Sequence, residues 1–312
     1  MLLSIPSFIF KVFSTTFLVW IVLSTAIPQL LSKYTDKEIQ SNHFQKTNYP
    51  YNSLTSPTPL PIQNSTVYFI IGHPDDEVMF FSPSLIELAK AKHQNNVKLI
   101  CFSTGDSVDE SFGGIRSAEL INSARILGLP SENITILDKF KDGMNITWDS
   151  NDIRETLKEL IGTGPQKEPV VLITFDEKGV SNHPNHISLY VGTVNYFKTY
   201  FKNNKDVTLF VLKSLTFWEK YSFTFLSSVE LFVDHVSKLF FSNFFKIDIN
   251  ISFFTKSSLP NTNAIKFYSD LNMLSVSYAA MCYGHYSQMV WFRYGWIILS
   301  RYLTFNHLIQ IT

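Results

Sequence analysis

Between residues 66 and 212 the chain alternates two kinds of segment, and this alternation limits the fold more than any other feature. Near-continuous apolar runs at 67–71, 97–103, 134–137, 170–174 and 207–212 have strand length. Helix-patterned segments separate them at 84–93, 115–127 (closed by Gly128), 152–161 and 185–200. A strand that is apolar on both faces needs cover on both faces, and strands that alternate with helices build parallel βαβ units. The expected fold is α/β, a three-layer Rossmann-like domain with a mostly parallel sheet over 66–212. An N-terminal transmembrane helix is expected to precede it, and no internal repeat is visible.

Sites in such sheets lie at the carboxyl ends of strands. The first run ends in Gly72-His73-Pro74-Asp75-Asp76-Glu77 and the second in Thr104-Gly105-Asp106. The fourth leads through 175–182 to His183-Pro184-Asn185-His186. Three adjacent carboxylates repel each other and are costly to desolvate unless a cation or hydrogen bonds compensate. Pro184 suits the first helical position, which makes His183 the N-cap or its neighbour and puts His186 in the first turn. His73, Asp76 and His186 then supply two imidazoles and a carboxylate, a set zinc uses when one position stays open for water. Taken singly, each pattern has an ordinary reading: a structural histidine, or an N-cap pair at Asp75-Asp76. Their meeting on one rim favours a metal site.

The flanks point to a membrane. Residues 7–31 contain one charge, Lys11. The stretch 12–31 is about the 20 residues a bilayer-crossing helix needs. The competing reading is a cleaved signal peptide with Ser24-Thr25-Ala26 as the cleavage region. The missing basic cluster and the long apolar stretch favour an uncleaved anchor over 1–31. Lys33 and Lys37 follow the span, which places the body of the protein on the cytosolic side. The sequons at Asn64, Asn133, Asn145 and Asn250 would be acceptors only in a lumen. The polar, Pro- and Ser-containing tract 32–65 reads as a tether that holds the core (66–212) off the membrane. Residues 213–312 form an aromatic-rich, membrane-proximal extension. Within it, 240–245 reads either as packing or as surface, and Arg293 and Arg301 interrupt an apolar run at 290–305 that suits an interfacial helix. With 26 basic and 26 acidic residues, there is no electrostatic case for a nucleic-acid partner. Charged residues at 17% and aromatics at 15% strengthen the membrane reading. Cys101 and Cys282 are too isolated for a disulfide framework or a zinc ribbon and read as buried thiols.

GHPDDE (72–77), GIRSAEL (114–120), LITFDEKGVSNHPNH (172–186) and YGHYSQMVWFRYGWIILSRYLTFN (283–306) resemble the PIG-L/LmbE family of zinc deacetylases. The last block is similar to the family's membrane branch, which acts on N-acetylglucosaminyl-phosphatidylinositol. The resemblance implies hydrolysis of that glycolipid to glucosaminyl-phosphatidylinositol and acetate, the second step of GPI-anchor biosynthesis. It implies Zn²⁺, or another divalent metal, on His73, Asp76 and His186, with Asp75 as general base and His183 as electrophile. Arg116 is implied to contact substrate, with Glu119 filling the other place of its motif. Many relatives have Asp where this chain has Asn185, which removes a carboxylate partner from a neighbouring histidine. The implied setting is the endoplasmic reticulum membrane, single-pass, with the catalytic domain facing the cytosol. The implied partner is the glycolipid, and no obligate protein partner is implied.

The chemistry is consistent with this. Amide hydrolysis needs a nucleophile at neutral pH, and zinc brings the pKa of a bound water to about 7. A protonated His183 would serve the oxyanion and then the leaving amine. Two alternatives are a deacetylase of another N-acetyl amino sugar and a non-catalytic membrane scaffold. The anchor and aromatic block disfavour the first, and the intact His and Asp set disfavours the second. Reading Asp75-Asp76 as a nucleotide-sugar motif leaves both histidines unused.

Overall fold

A computed structural model describes residues 4–29, 54–56, 60–107, 111–165, 167–202, 204–237 and 263–312. The first element is helix α1, Ser4–Ile21, which continues through a π-helical turn at Val22–Ala26. A short strand β1, Leu54–Ser56, precedes the αβ alternation. That alternation runs β2 (Thr66–Ile71), α2 (Asp76–Met79), α3 (Ser82–Leu88), β3 (Asn96–Cys101), α4 (Phe112–Ile126) and β4 (Ile134–Ile136). It continues with α5 (Ser150–Ile161), β5 (Val170–Phe175), α6 (Gly179–Asn182), α7 (Pro184–Tyr200) and β6 (Val207–Leu212). Each apolar run of the sequence is therefore a strand, to within a residue or two at its ends.

Strands β2 to β6 pair in parallel in the spatial order β6-β5-β2-β3-β4. Every residue of β5 is buried, as expected for a strand with helices on both faces. Local chemistry sets the helix ends. The Asp149 carboxylate accepts from the N–H groups of Asn151 and Asp152 at 2.8 and 3.2 Å and starts α5. The helix ends at Gly162, whose φ of +85° suits glycine.

The sheet does not stop at Leu212. The C-terminal third adds α8 (Phe217–Lys220), α9 (Thr224–Leu231), β7 (Ala264–Tyr268), α10 (Leu271–Ala279), α11 (Trp291–Leu299) and β8 (Phe305–Ile311). β8 pairs antiparallel to β6, β7 to β8 and β1 to β7, giving eight strands in the order β1-β7-β8-β6-β5-β2-β3-β4. The 213–312 segment is thus part of the core layer as well as an extension. An exposed β6 edge would leave a row of unpaired backbone groups, and β8 satisfies them. Arg301 also differs from its surface reading. It is buried, donates to Glu230 Oε1 at 2.6 Å and lies 4.3 Å from the Phe305 ring centre. Cys101 and Cys282 are both free thiols, the first buried and the second half-buried.

Helix α1 is the described segment long and apolar enough to cross a membrane, with a candidate span Ser7–Gln29. It packs against the domain directly. Phe13 stacks on Phe223 at 4.6 Å, Phe17 lies 5.7 Å from the same ring, Trp20 is buried, and Leu271 N–H donates to Thr25 Oγ1 at 3.0 Å. Its other side, with Phe8, Phe10, Leu18 and Val19, stays exposed. Most of the 32–65 tract, the 240–245 stretch and Asn250 lie outside the described residues.

Candidate metal centre and cleft

Strand β2 ends against a tight loop. A Cβ at Gly72 would come within 2.9 Å of the His186 ring, so this position admits only glycine without displacing the histidine. The N–H groups of Gly72 and His73 both donate to Asp76 Oδ2, at 3.0 and 2.8 Å, and fold the loop around that carboxylate. Asp75 sits at φ +121°, a conformation that costs a non-glycine residue on the order of 1–3 kcal/mol and recurs at functional sites. Contacts on every side hold it there. Its N–H donates to Glu77 Oε2 at 3.1 Å, its carbonyl accepts from Met79 N–H at 2.9 Å, and Pro74 O accepts from Arg116 at 2.8 Å.

Two imidazoles from segments more than a hundred residues apart meet beside Asp76. His186 Nδ1 donates to Gly179 O at 3.1 Å while its ring stacks on Phe175, with ring centres 3.9 Å apart. Its Nε2 lone pair therefore faces inward. His73 Nε2 faces two acceptors, Asn185 Oδ1 at 3.1 Å and Asp142 Oδ1 at 3.0 Å, so its Nδ1 faces inward as well. The three inward atoms are separated by 3.2 Å (His73 Nδ1 to His186 Nε2), 3.2 Å (His186 Nε2 to Asp76 Oδ2) and 3.6 Å (His73 Nδ1 to Asp76 Oδ2). Donors about 2.1 Å from a tetrahedral metal lie about 3.4 Å from one another, so this triangle fits a divalent cation such as zinc. The outward partners of both rings are those that orient metal-binding histidines. The local potential agrees. Burial alone would lower the His73 pKa, yet Asp142 and Asp76 raise it to about 10.

His183, His73 and His186 also have ring nitrogens within 4.8 Å of one another, which makes His183 a conceivable third nitrogen ligand. Its Nδ1, however, accepts from Asn185 N–H at 3.3 Å as the cap of α7. Its Nε2 then carries the proton and lies 3.9 Å from Asp142 Oδ1. Burial, followed by the charges of His73 and His186, holds its pKa down at about 4. It is therefore a neutral hydrogen-bond donor at pH 7.

His73, Asp75, Asp76, Arg116, His183 and His186, the residues singled out in the sequence, all line one cleft of about 570 Å³. Arg116 reaches it from α4, bonded to Gly105 O and at 2.8 Å to Gln288 Oε1, and lies 3.6 Å from Asp142 Oδ2. Four further participants, Asp142, Arg293, His285 and Gln288, have no role in the site on the sequence reading. Asp142 lies in the loop after β4, one of the two strand ends of the parallel run left out of the sequence reading, and it provides a carboxylate 3.0 Å from His73 Nε2 although position 185 is Asn. Arg293 on α11 donates to Asp75 Oδ2 at 2.9 Å. His285 Nε2 meets Glu77 Oε1 at 2.6 Å, fully buried, and Gln288 Nε2 lies 3.1 Å from His285 Nδ1. Glu119 accepts from both N–H and Oγ of Ser287 at 2.7 Å. The 283–306 block thus braces the loop that carries Asp75. Burial raises the Asp75 pKa, and Arg293 and Arg116 partly offset it.

The family model described as GlcNAc-PI de-N-acetylase matches residues 68–197. The chain is 32% identical over 292 residues to the N-acetylglucosaminyl-phosphatidylinositol de-N-acetylase of Arthroderma benhamiae, covering 79% of this chain and 87% of that one. It is 30% identical over 251 residues to the Bos taurus protein of the same name, covering 80% and 85%. Among solved structures it is similar to a deacetylase of the teicoplanin biosynthetic pathway, at 14% identity and a TM-score of 0.47, covering 78% of this chain and 96% of that one.

Proposed function

The chain belongs to the PIG-L family of GlcNAc-PI de-N-acetylases, and we propose that its cleft hydrolyses the acetamide of N-acetylglucosaminyl-phosphatidylinositol with a divalent metal. It is a deacetylase of the GPI-anchor pathway, and the products are acetate and the free amino sugar on phosphatidylinositol. The observation that carries the metal reading is the triangle of inward donors from His73, Asp76 and His186, with both rings oriented from behind. Zn²⁺ or a similar ion held there would supply Lewis acidity and bring a water's pKa to about 7.

The chain's own residues do the rest. Asp75, raised by burial and steadied by Arg293, takes the proton as the water oxygen bonds to the acetamide carbon. His183, neutral at pH 7, donates its Nε2–H to the oxygen that becomes anionic, as a preorganised dipole rather than as an imidazolium. When the C–N bond breaks, the proton on Asp75 passes to the departing nitrogen, so the water is fully accounted for. Arg116, pointing into the cleft from α4, contacts the sugar or inositol hydroxyls.

The finer localisation is the endoplasmic reticulum membrane, crossed once by α1 with the domain in the cytosol. Lys33 and Lys37 after the span support that orientation. So does Asn133, whose side-chain N–H₂ is engaged by Asn96 Oδ1 at 3.1 Å and Val97 O at 2.9 Å rather than offered to a glycan. An endoglycosidase-sensitive mobility shift would overturn the orientation. The activity is tested by acetate release from acetyl-labelled glycolipid with purified full-length protein. It should vanish on chelation and return with zinc, and release that survives exhaustive chelation rules out the metal mechanism.

A further inference from the structure

We infer that the rim of the cleft formed by α11 and α8 seats on the bilayer surface, which brings the cleft mouth to headgroup depth so that the glycolipid enters without leaving the membrane. This rests on the reading of the chain as a glycolipid deacetylase. Helix α11 turns Arg293, Trp296 and Ile297 inward, and of these Arg293 reaches Asp75 and Ile297 is buried. Its outward side chains are Trp291, Phe292, Tyr294, Ile298 and Leu299, all exposed, with Trp291 86% exposed. The polarity is the reverse of a water-facing helix, since the one charge points in and the outer face carries none. Next to the cleft, α8 presents Phe217 and Trp218, the latter 83% exposed. Lys220 of α8 bonds Ser181 Oγ at 2.9 Å, and Ser181 lines the cleft.

The occupant follows from what the rim adjoins. The Phe223 ring that stacks on Phe13 of the candidate span belongs to the residue whose N–H donates to Leu299 O, at the end of α11, at 3.1 Å. The apolar rim is therefore continuous with the helix proposed to cross the membrane. Val290 and Phe292 line the cleft itself, so a substrate whose sugar reaches the metal site leaves its acyl chains beside α11. Tryptophan and tyrosine favour the headgroup region, where one end of the ring is apolar and the other wet. The ionic floor needs water, so the rim sets a depth at which the floor stays outside the hydrocarbon.

The test uses the full-length chain in phosphatidylcholine–phosphatidylinositol vesicles with brominated acyl chains. Comparison with Trp218→Phe and Trp291→Phe should show both indoles quenched by the lipid and shielded from aqueous iodide. The double variant Trp218→Ser/Trp291→Ser should raise KM for vesicle-borne glycolipid by about tenfold or more, with kcat unchanged. It should turn over the water-soluble, deacylated headgroup at the wild-type rate and melt at the wild-type temperature, because both side chains are exposed. Indoles that stay open to iodide overturn the inference. So does equal loss on both substrates, or shielding that depends on protein concentration rather than on lipid, which would mark a contact between copies. If the wild type processes neither substrate, the proposed function fails, while the quenching result still decides the seating of the rim.

Discussion

The floor and the rim of the cleft are made of opposite materials. The floor is ionisable and closed to solvent: His73, Asp75, Asp76 and His186 are each 5% exposed or less. Gly179 O orients the His186 ring, Asn185 and Asp142 orient the His73 ring, and Arg293 holds Asp75. The rim is apolar and open, with tryptophans more than four-fifths exposed and no charge on the outer face of α11. In an ordinary water-facing domain the two materials would be exchanged. A floor of this kind is stable only if a cation or fixed hydrogen bonds answer its charges, and a rim of this kind only if something other than water covers it. Helix α5 shows the ordinary case in the same molecule, with Asp152, Lys158 and Glu159 facing out and Ile153 and Leu157 facing in.

Substitutions in the floor should have the largest effects. His73→Ala, Asp76→Ala and His186→Ala are each expected to reduce acetate release below detection and to lower bound zinc, because three protein ligands leave no redundancy. His183→Ala should keep its zinc. If it lost metal as fully as His186→Ala, the cluster would be a three-histidine site and the floor would have to be redrawn. Next comes Asp75→Asn, which keeps the shape but removes the base. Turnover should fall roughly 10²–10⁴-fold with metal content unchanged, and equal zinc loss in Asp75→Asn and Asp76→Asn would contradict their separate roles.

One step further out, His285→Gln should lower turnover by roughly ten- to a hundredfold with zinc retained, since His285 acts through Glu77 on the strained Asp75. Unchanged turnover would make that buried pair purely structural. Glu87 offers a buried charge cluster away from the cleft. It bonds His93 at 2.8 Å, Lys90 at 2.7 Å and Lys92 at 2.8 Å. Burial alone would raise its pKa, but these partners bring it down to about 2 from an ordinary 4.5. Its contribution, on the order of 3 kcal/mol, is present above pH 4.5 and is lost as pH falls toward 2. Glu87→Gln should remove that acid dependence from the melting curve without changing turnover of the folded enzyme. The smallest effect belongs to the water-facing side of α5. Lys158→Ala removes an exposed pair with Glu155 at 3.1 Å and should leave melting temperature and turnover unchanged.

Much of the site was legible because it sits where local rules apply. A parallel sheet puts chemistry at strand carboxyl ends, and GHPDDE and HPNH both lie at such ends, so His73, Asp76 and His186 could be named from position and residue type. Asp142 obeys the same rule after β4 but shares its loop with Asp138, Lys139 and Lys141, and no motif distinguishes it from them. Arg293 and Arg301 looked alike as charges interrupting an apolar run. Their destinations, a cleft carboxylate and a buried glutamate, depend on how α11 and the following turn lie against the sheet. The state of His183 was also out of reach, since its neutral ring follows from burial and two neighbouring imidazoles.

The sequence by itself determined the elements of the 66–212 run and their order, because periodicity, capping residues and glycine positions act over a few residues and do not depend on the rest of the chain. It also determined which residue types stand at the strand ends. The tertiary structure alone decided the quantities that depend on distant segments meeting. These include the 3.2 Å between His73 and His186, the ring nitrogen each turns inward, and the antiparallel strands that complete the sheet beyond β6. It also decided that α11 turns its one charge inward and its aromatics outward. A helix has no preferred rotation until it has something to pack against, and packing is a property of the whole chain.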